Sequence, residues 1–210
     1  MSKPLTIAVP KGRVLGSVIR LFRRAGIDVA SLEEDDRRLI RPADGGRLRF
    51  LLLKPDDVPT YVEYGAADVG VAGRDVLLER RYDLYQPLEL GIGRCRMVVA
   101  APIDAPPPKG VPRVATKFAR IAADHFAQKG VQAEIIYVQG SVELAPLVGL
   151  SDFIVDLVET GTTLAENRLE VVEEVVPISS VLVANRAAYK LRSAEIGPFV
   201  QALREAVRQS

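Results

Sequence analysis

Short apolar runs alternate with amphipathic stretches along most of the chain. Leu5–Val9, Leu48–Leu53 and Phe153–Val158 are dense in aliphatic and β-branched residues, which is typical of strands buried on both faces of a parallel sheet. Between such runs, apolar residues recur at three- and four-residue spacing, as on one face of a helix. This alternation of strands and helices predicts an α/β fold rather than an all-α or all-β one.

Helix signals are clearest near the two ends and in the middle of the chain. One helix is predicted after Arg13 and ends at about Ala25, and the last is predicted from Ser193, its cap, to about Val207. A third is predicted at Thr116–Gln128, where His125 is expected to be a partly buried helix-face residue rather than a catalyst. A hairpin turn is predicted at 44–46.

The pattern divides the chain into two α/β lobes. The first is predicted to comprise residues 1–94 and 184–210, because the last amphipathic helix must bury its apolar stripe against a larger layer. The second is predicted at residues 95–183. A cleft between two such lobes would let groups at the strand ends of one lobe face a binding loop of the other.

Most of the candidate chemistry lies in Ser151–Leu164. Asp156 and Glu159 stand at the carboxyl end of a buried run, and a short loop leads from there into a helical turn. The loop consists of Thr160, Gly161, Thr162 and Thr163. Its backbone N–H groups and hydroxyls suit a phosphate, while the acids suit sugar hydroxyls or a magnesium ion. The alternative is an ordinary turn whose threonines cap a helix.

Cations follow two other predicted strands. Lys11, Gly12 and Arg13 come after the first strand, and Lys54 ends the run at 48–53. Open α/β sheets bind ligands at the carboxyl ends of their strands, so these cations are candidates for binding an anion. The alternative for the first group is a solubilising basic turn. Arg37 and Arg38 belong to a mixed-charge segment that is expected to be mostly solvated, although either could point into a cleft.

Composition excludes several classes of function. The 210 residues are 48% hydrophobic and carry a formal net charge of +1, so no global basic field indicates a nucleic acid or membrane partner. One cysteine, Cys95, and one histidine exclude a disulfide framework and a multi-histidine zinc site. The N-terminal residues show no signal-peptide pattern and no run reaches membrane-spanning length, which predicts a cytoplasmic protein.

Three stretches together resemble the ATP phosphoribosyltransferases that open histidine biosynthesis. They are IAVPKGR (Ile7–Arg13), KPDDVPTYVEYGAADVGVAGRD (Lys54–Asp75) and GSVELAPLVGLSDFIVDLVETGTTLAEN (Gly140–Asn167). A lone TGTT would be a weak signal, but this combination is specific and is spread over nearly the whole chain. Because the chain stops after one helix where long forms carry a regulatory domain, it resembles the short form.

The resemblance implies a two-lobed, periplasmic-binding-protein-like fold of type II with a central cleft. It implies a glycosyltransferase that moves a phosphoribosyl group from phosphoribosyl pyrophosphate to N1 of ATP and releases pyrophosphate. Magnesium is expected to be bound mainly by the substrates, with no metal site made by the protein. The expected assembly is a homodimer within a hetero-oligomer that contains a regulatory subunit resembling histidyl-tRNA synthetase.

The resemblance also implies roles for the candidate residues. Asp156, with Glu159, is expected to bind the ribose hydroxyls, and Thr160–Thr163 the 5′-phosphate. Lys11, Gly12, Arg13 and Lys54, with one of Arg37 and Arg38, are expected to bind the pyrophosphate and the ATP phosphates. Glu143 is expected to support the site or to lie on its adenine side. Lys54 stands where many members have arginine, which keeps the charge but loses the bidentate fork. Two alternatives are a non-catalytic solute-binding module and an enzyme that joins the same phosphosugar to another base or amine.

Overall fold

The computed structural model describes residues 3–209, which fold into two α/β units. Unit 1 contains the described residues up to Gly93 together with those from Ser179 onward, and unit 2 is Arg94–Ile178. Each unit has its own sheet and its own buried apolar clusters. The predicted α/β class is therefore confirmed.

Unit 1 is built on a six-stranded sheet in the order β2-β3-β1-β4-β11-β5. Its strands are β1 (Leu5–Pro10), β2 (Ile40–Ala43), β3 (Leu48–Leu53), β4 (Val69–Gly73), β5 (Tyr85–Glu89) and β11 (Ser180–Ala184). Strands β3, β1 and β4 are parallel, and the other pairings are antiparallel. Every residue of β1 is buried, which explains why its sequence is apolar except for Thr6.

Helices cover both faces of this sheet. They are α1 (Leu15–Arg24), α2 (Val58–Glu63), α3 (Arg74–Arg80), α7 (Arg186–Leu191) and α8 (Ser193–Arg208), with 3₁₀ turns at Ala30–Leu32, Asp44–Gly46 and Pro55–Asp57. On one face α1 packs against α8, where the rings of Phe22 and Phe199 meet edge to face at 5.8 Å. On the other face, Val58 and Val62 of α2 pack in a separate cluster.

Unit 2 has a five-stranded sheet in the order β10-β6-β9-β7-β8. Its strands are β6 (Cys95–Pro102), β7 (Arg113–Thr116), β8 (Glu134–Tyr137), β9 (Phe153–Val158) and β10 (Leu169–Ile178), and its helices are α4 (Ala119–Gln128), α5 (Leu144–Leu147) and α6 (Thr162–Glu166). Strands β8, β7 and β9 are parallel, whereas β6 is antiparallel to both β9 and β10. Helix α4 covers one face, and α5 and α6 cover the other.

The predicted boundary of the second lobe at residue 183 is wrong. Strand β11 pairs with β4 and β5 inside the sheet of unit 1, so the chain leaves unit 2 after Ile178. Sequence patterning could not separate β10 from β11, because both are β-rich and only Ser179 lies between them. Pairing partners distant in the sequence decide which sheet each strand joins.

Two helix ends also differ from the prediction. Ser193 is the first residue of α8 rather than its cap, and Arg192 occupies the cap position. Asn185 begins a helix that the sequence analysis did not predict, because its side-chain oxygen caps α7 by accepting hydrogen bonds from the backbone N–H groups of Ala187 and Ala188. His125 lies on α4 as predicted, with a side chain 15% exposed, and its Nε2 is 2.9 Å from Oε1 of Glu173.

Candidate active site

Lys11 and Lys54, the two candidate lysines of unit 1, stand at the same edge of its sheet. Pro10 and Leu53 are register partners at the ends of the parallel strands β1 and β3. The backbone N–H of Lys11 donates to the Leu53 carbonyl at 2.7 Å, so Lys11 and Lys54 begin two neighbouring loops. The prediction that both residues end parallel strands that run in the same direction is confirmed.

The backbone after β1 turns sharply, and this turn exposes the basic residues. Gly12 has a φ of +85°, a conformation that side-chain-bearing residues rarely adopt. Its carbonyl accepts a hydrogen bond from the N–H of Leu15 at 3.1 Å, which leads the chain into α1. Lys11, Gly12 and Arg13 are all exposed, as is Lys54. This edge of unit 1 therefore presents positive charge to solvent.

Arg37 and Arg38 have different environments in unit 1. The Arg38 guanidinium pairs with Asp36, at 2.6 Å between Nε and Oδ2, and with Glu34. The backbone N–H of Arg38, followed by its guanidinium, holds the pKa of Asp36 below its usual range. Arg37 is exposed, and among the residues that the structure describes it forms no ion pair. Of the two arginines, Arg37 is thus the better candidate for a ligand.

In unit 2, Asp156 lies near the carboxyl end of β9 and is half-buried. Its Oδ1 accepts a hydrogen bond from the N–H of Leu157 at 2.8 Å. Burial raises the pKa of the Asp156 carboxyl, and the negative charge of Glu143 acts in the same direction. The Leu157 hydrogen bond and the positive charge of Lys117 oppose this rise. A partly desolvated carboxylate of this kind is a strong hydrogen-bond acceptor.

The Thr-Gly-Thr-Thr loop follows β9 directly. Gly161 has a φ of +85° and precedes α6, and its carbonyl accepts from the N–H of Ala165 at 3.0 Å. Thr160, Thr162 and Thr163 are exposed, and the hydroxyls of Thr160 and Thr162 lie 3.0 Å apart. Leu164 is buried and anchors the loop to the core. Glu159 is exposed at the start of the loop. The hydroxyls are therefore open to a ligand.

Two further charged residues belong to this edge of unit 2. Glu143 is the half-buried cap residue of the four-residue helix α5, close enough to Asp156 to affect its ionisation. Lys117 follows β7, and sequence analysis missed it because Thr116 and its neighbours were assigned to a helix. The rule that found Lys11 and Lys54 would also have found Lys117, because β7 is a short, largely buried strand that ends just before it.

The two edges differ in what they can do chemically. Unit 1 presents ammonium and guanidinium groups that suit the oxygens of a polyphosphate. Unit 2 presents carboxylates and hydroxyls that suit the hydroxyls and the single phosphate of a phosphorylated sugar. Within 3–209, no three His, Cys, Asp or Glu side chains come together in an arrangement that would hold a metal ion.

Comparison with known proteins identifies relatives over nearly the full length of the chain. The family model "HisG: ATP phosphoribosyltransferase" matches residues 54–205. An ATP phosphoribosyltransferase from Sorangium cellulosum is 69% identical over 206 residues, which are 98% of this chain and 97% of the relative. One from Halorhodospira halophila is 52% identical over 209 residues, covering 99% of this chain and 98% of that protein.

Solved structures agree with these sequence relatives. The ATP phosphoribosyl transferase (HisG:HisZ) complex from Thermotoga maritima contains a chain that is 38% identical, with a TM-score of 0.83 and coverage of 98% of this chain and 100% of that one. The periplasmic aliphatic sulphonate binding protein SsuA from Escherichia coli is 14% identical, with a TM-score of 0.62 and coverage of 99% and 73%. The latter likeness shows the fold alone, which is the type II periplasmic-binding-protein fold. The family match and the extent of identity show that the chain belongs to the ATP phosphoribosyltransferase family.

Proposed function

We propose that this chain transfers the phosphoribosyl group of phosphoribosyl pyrophosphate to N1 of ATP, which is the first step of L-histidine biosynthesis. The family match supports the reaction. The observation that carries the assignment of the site is the exposed Thr160–Thr163 loop, which directly follows the strand that contains Asp156. An anion-binding loop beside a hydrogen-bond acceptor matches the two ends of a ribose 5-phosphate.

The ribose half of the donor is assigned to unit 2. The hydroxyls and backbone N–H groups of Thr160, Gly161, Thr162 and Thr163 bind the 5′-phosphate. Asp156, with Glu159 beside the loop, accepts hydrogen bonds from the ribose hydroxyls, since an ionised carboxylate offers two acceptor oxygens. Glu143 supports Asp156 or contacts the adenine side.

The phosphate-rich parts of the substrates are assigned to the cations of unit 1. Lys11, Gly12, Arg13 and Lys54 bind the pyrophosphate and the ATP phosphates, together with one of Arg37 and Arg38. These residues are exposed, and both lysines stand at the same sheet edge. Because Arg38 is already paired with Asp36 and Glu34, the assignment favours Arg37.

The chemistry needs positioning and electrostatics rather than a covalent nucleophile. The bond between ribose C1 and the diphosphate oxygen breaks, and its electron pair leaves with the pyrophosphate. The lone pair of adenine N1 then forms the new bond to C1. Departure ahead of attack makes the sugar cationic, which the Asp156 carboxylate stabilises. The cations of unit 1 stabilise the growing negative charge on the leaving group.

Magnesium is proposed to travel with the substrates. Its ligands are proposed to be mainly phosphate oxygens, which a hard cation such as Mg²⁺ prefers. When bound, the ion neutralises part of the charge on the diphosphate, and the lysines and arginines of the chain neutralise the rest.

The proposed assembly follows from the Thermotoga maritima relative, whose structure is a HisG:HisZ complex. We propose that this chain works as a homodimer within a hetero-oligomer that contains a regulatory subunit resembling histidyl-tRNA synthetase, and that it does so in the cytoplasm. Among residues 3–209, no helix is both long and apolar enough to cross a membrane.

The decisive experiment measures phosphoribosyl-ATP formation by absorbance, with and without the regulatory subunit. Turnover from ATP and phosphoribosyl pyrophosphate supports the proposal. Binding of the donor without turnover, even with the partner present, contradicts it and favours a solute-binding module. Turnover only with another base or amine contradicts the choice of acceptor.

A loop variant tests the assignment of the site. We expect Thr162→Ala with Thr163→Ala to raise the KM for phosphoribosyl pyrophosphate about tenfold to thirtyfold, because each of the two lost hydroxyl contacts to a phosphate contributes on the order of 1 kcal/mol. Ser193→Ala removes an exposed hydroxyl at the start of α8 and should leave this KM unchanged. An unchanged KM in the loop variant would remove the loop from the site.

A further inference from the structure

Lys117 directly follows β7, the strand that pairs in parallel with the strand of Asp156. In the β7–β9 ladder, Val114 is the register partner of Phe153 and Ala115 that of Ile154. Continuing this register by two residues, one beyond the end of β7, sets the backbone of Lys117 next to that of Asp156. Ala115 and Ile154 lie in the same buried cluster, and the alternation of side chains along β9 puts Asp156 on the face of the sheet that this cluster covers.

The backbone around Lys117 is fixed on both sides. Thr116 is fully buried, and its hydroxyl donates to the carbonyl of Val155 at 2.6 Å. The same hydroxyl accepts from the N–H of Phe118 at 2.9 Å. Lys117 therefore lies between two residues that are locked in place, one of them hydrogen-bonded to the strand that carries Asp156.

The side chain of Lys117 is also held in place. The residue is half-buried, and its Nζ lies 4.7 Å from the centre of the Phe118 ring, within the range of a cation–π contact. The Phe118 side chain is itself buried. An ammonium group that rests on a fixed ring has less freedom than the exposed lysines of unit 1, so its charge acts from a defined position.

Two charged groups act on the Asp156 carboxylate, and others lie on neighbouring elements. Glu143, which precedes α5, raises its pKa, and Lys117 lowers it. On β6, Arg96 faces the same side as Asp156, and it pairs with Glu174 of β10 at 3.7 Å. Glu159 and, on α6, Glu166 are exposed at the loop that follows β9. Lys117 is thus the cation that lowers the pKa of Asp156, which burial and Glu143 raise.

We propose that Lys117 is a positioning residue of the phosphoribosyl site, which keeps the Asp156 carboxylate charged and oriented toward the ribose hydroxyls. This inference rests on the proposed function, because it assigns Asp156 to the sugar. A protonated Asp156 would lose acceptor capacity for the two hydroxyls and would no longer stabilise a cationic sugar. Lys117 acts on the substrate only through Asp156, which distinguishes it from Lys11 and Lys54.

The test is the pH dependence of kcat/KM for phosphoribosyl pyrophosphate, measured on the complex of the full chain with its regulatory subunit. Asp156 works ionised, so activity falls as the pH drops through its pKa. Removing the positive charge raises this pKa, and the acid limb of the profile in Lys117→Gln should move to higher pH by about 0.5 to 1 unit. Lys117→Arg retains the charge and should restore the wild-type limb.

Two further variants sharpen the test. Glu143→Gln removes the opposing negative charge, and its acid limb should move to lower pH. Lys109→Gln removes an exposed lysine of the same unit and should leave the profile unchanged. If Lys117→Gln does not fold by circular dichroism, Lys117→Met replaces it, since the methionine side chain still packs against the Phe118 ring.

The possible results separate the inference from the function on which it rests. A fall in kcat/KM of equal size at every pH would overturn the inference, because it would mean that Lys117 contacts the substrate directly. A wild-type profile in the neutral variants would overturn it as well. A wild-type complex that forms no phosphoribosyl-ATP would instead contradict the proposed function.

Discussion

The carboxyl edges of the two sheets have the same strand arrangement but carry different charged groups. In each unit three parallel strands end at one edge, and the candidate residues follow them. In unit 1 these residues are exposed cations, Lys11, Arg13 and Lys54. In unit 2 the central group is the half-buried carboxylate of Asp156, whose ionisation responds to both Glu143 and Lys117.

This difference indicates how the work is divided between the two edges. Exposed cations are well solvated and attract polyphosphates over a distance, and each contributes separately. A half-buried carboxylate has a fixed position and depends on its neighbours for its charge. Substitutions in unit 1 should therefore lower activity at every pH, whereas substitutions around Asp156 should change the pH profile.

Lys11→Ala should have the largest effect in unit 1. We expect kcat/KM to fall by about one to two orders of magnitude at every pH, at 1.4 kcal/mol per decade, because the variant loses a cation that stabilises the leaving group. The check is steady-state kinetics over a range of pH. Lys190→Ala, an exposed lysine on α7 of the same unit, serves as the control. A rate near that of the wild type would return Lys11 to the role of a solubilising residue.

Lys54 should give a smaller effect that depends on the shape of the replacement. We expect Lys54→Ala to lower kcat/KM about tenfold and Lys54→Arg to match or exceed the wild type, because a guanidinium can bind a phosphate through two hydrogen bonds. The measurement is the same kinetic assay. Equal losses in both variants would show that Lys54 has a structural role at the end of β3.

The arginine pair should show the smallest effect and the sharpest contrast. We expect Arg37→Ala to raise the KM for ATP about threefold to tenfold, and Arg38→Ala to change it less than about twofold, because surface pairs such as those of Arg38 contribute little. Initial rates at varied ATP concentration measure both. A larger effect at Arg38 than at Arg37 would reverse the assignment.

Strand-end residues could be predicted from the sequence where the strands are long and apolar. The largely apolar runs of β1 and β3 located Lys11 and Lys54, and β9 located Asp156 and the Thr-Gly-Thr-Thr loop. Strand β7 has four residues and leads quickly into α4, so its end and Lys117 were hidden in a helical pattern. Strand β5 was missed as well, since it lies at a sheet edge, is only partly buried and contains Pro87.

Charge networks could not be predicted because they depend on which elements become neighbours. The sequence indicated either Arg37 or Arg38 as a ligand. Only the folded structure shows that Arg38 forms ion pairs with Asp36 and Glu34. In the same way, the family resemblance gave Glu143 only a supporting or adenine-side position. Its effect on Asp156 follows from the packing of α5 against β9.

The most direct test of the account is a crystal structure with phosphoribosyl pyrophosphate bound. The account predicts the 5′-phosphate within hydrogen-bonding distance of Thr160–Thr163 and the ribose hydroxyls against Asp156. A donor bound away from this loop, with its phosphate held by other residues, would contradict the assignment of the phosphoribosyl site to unit 2.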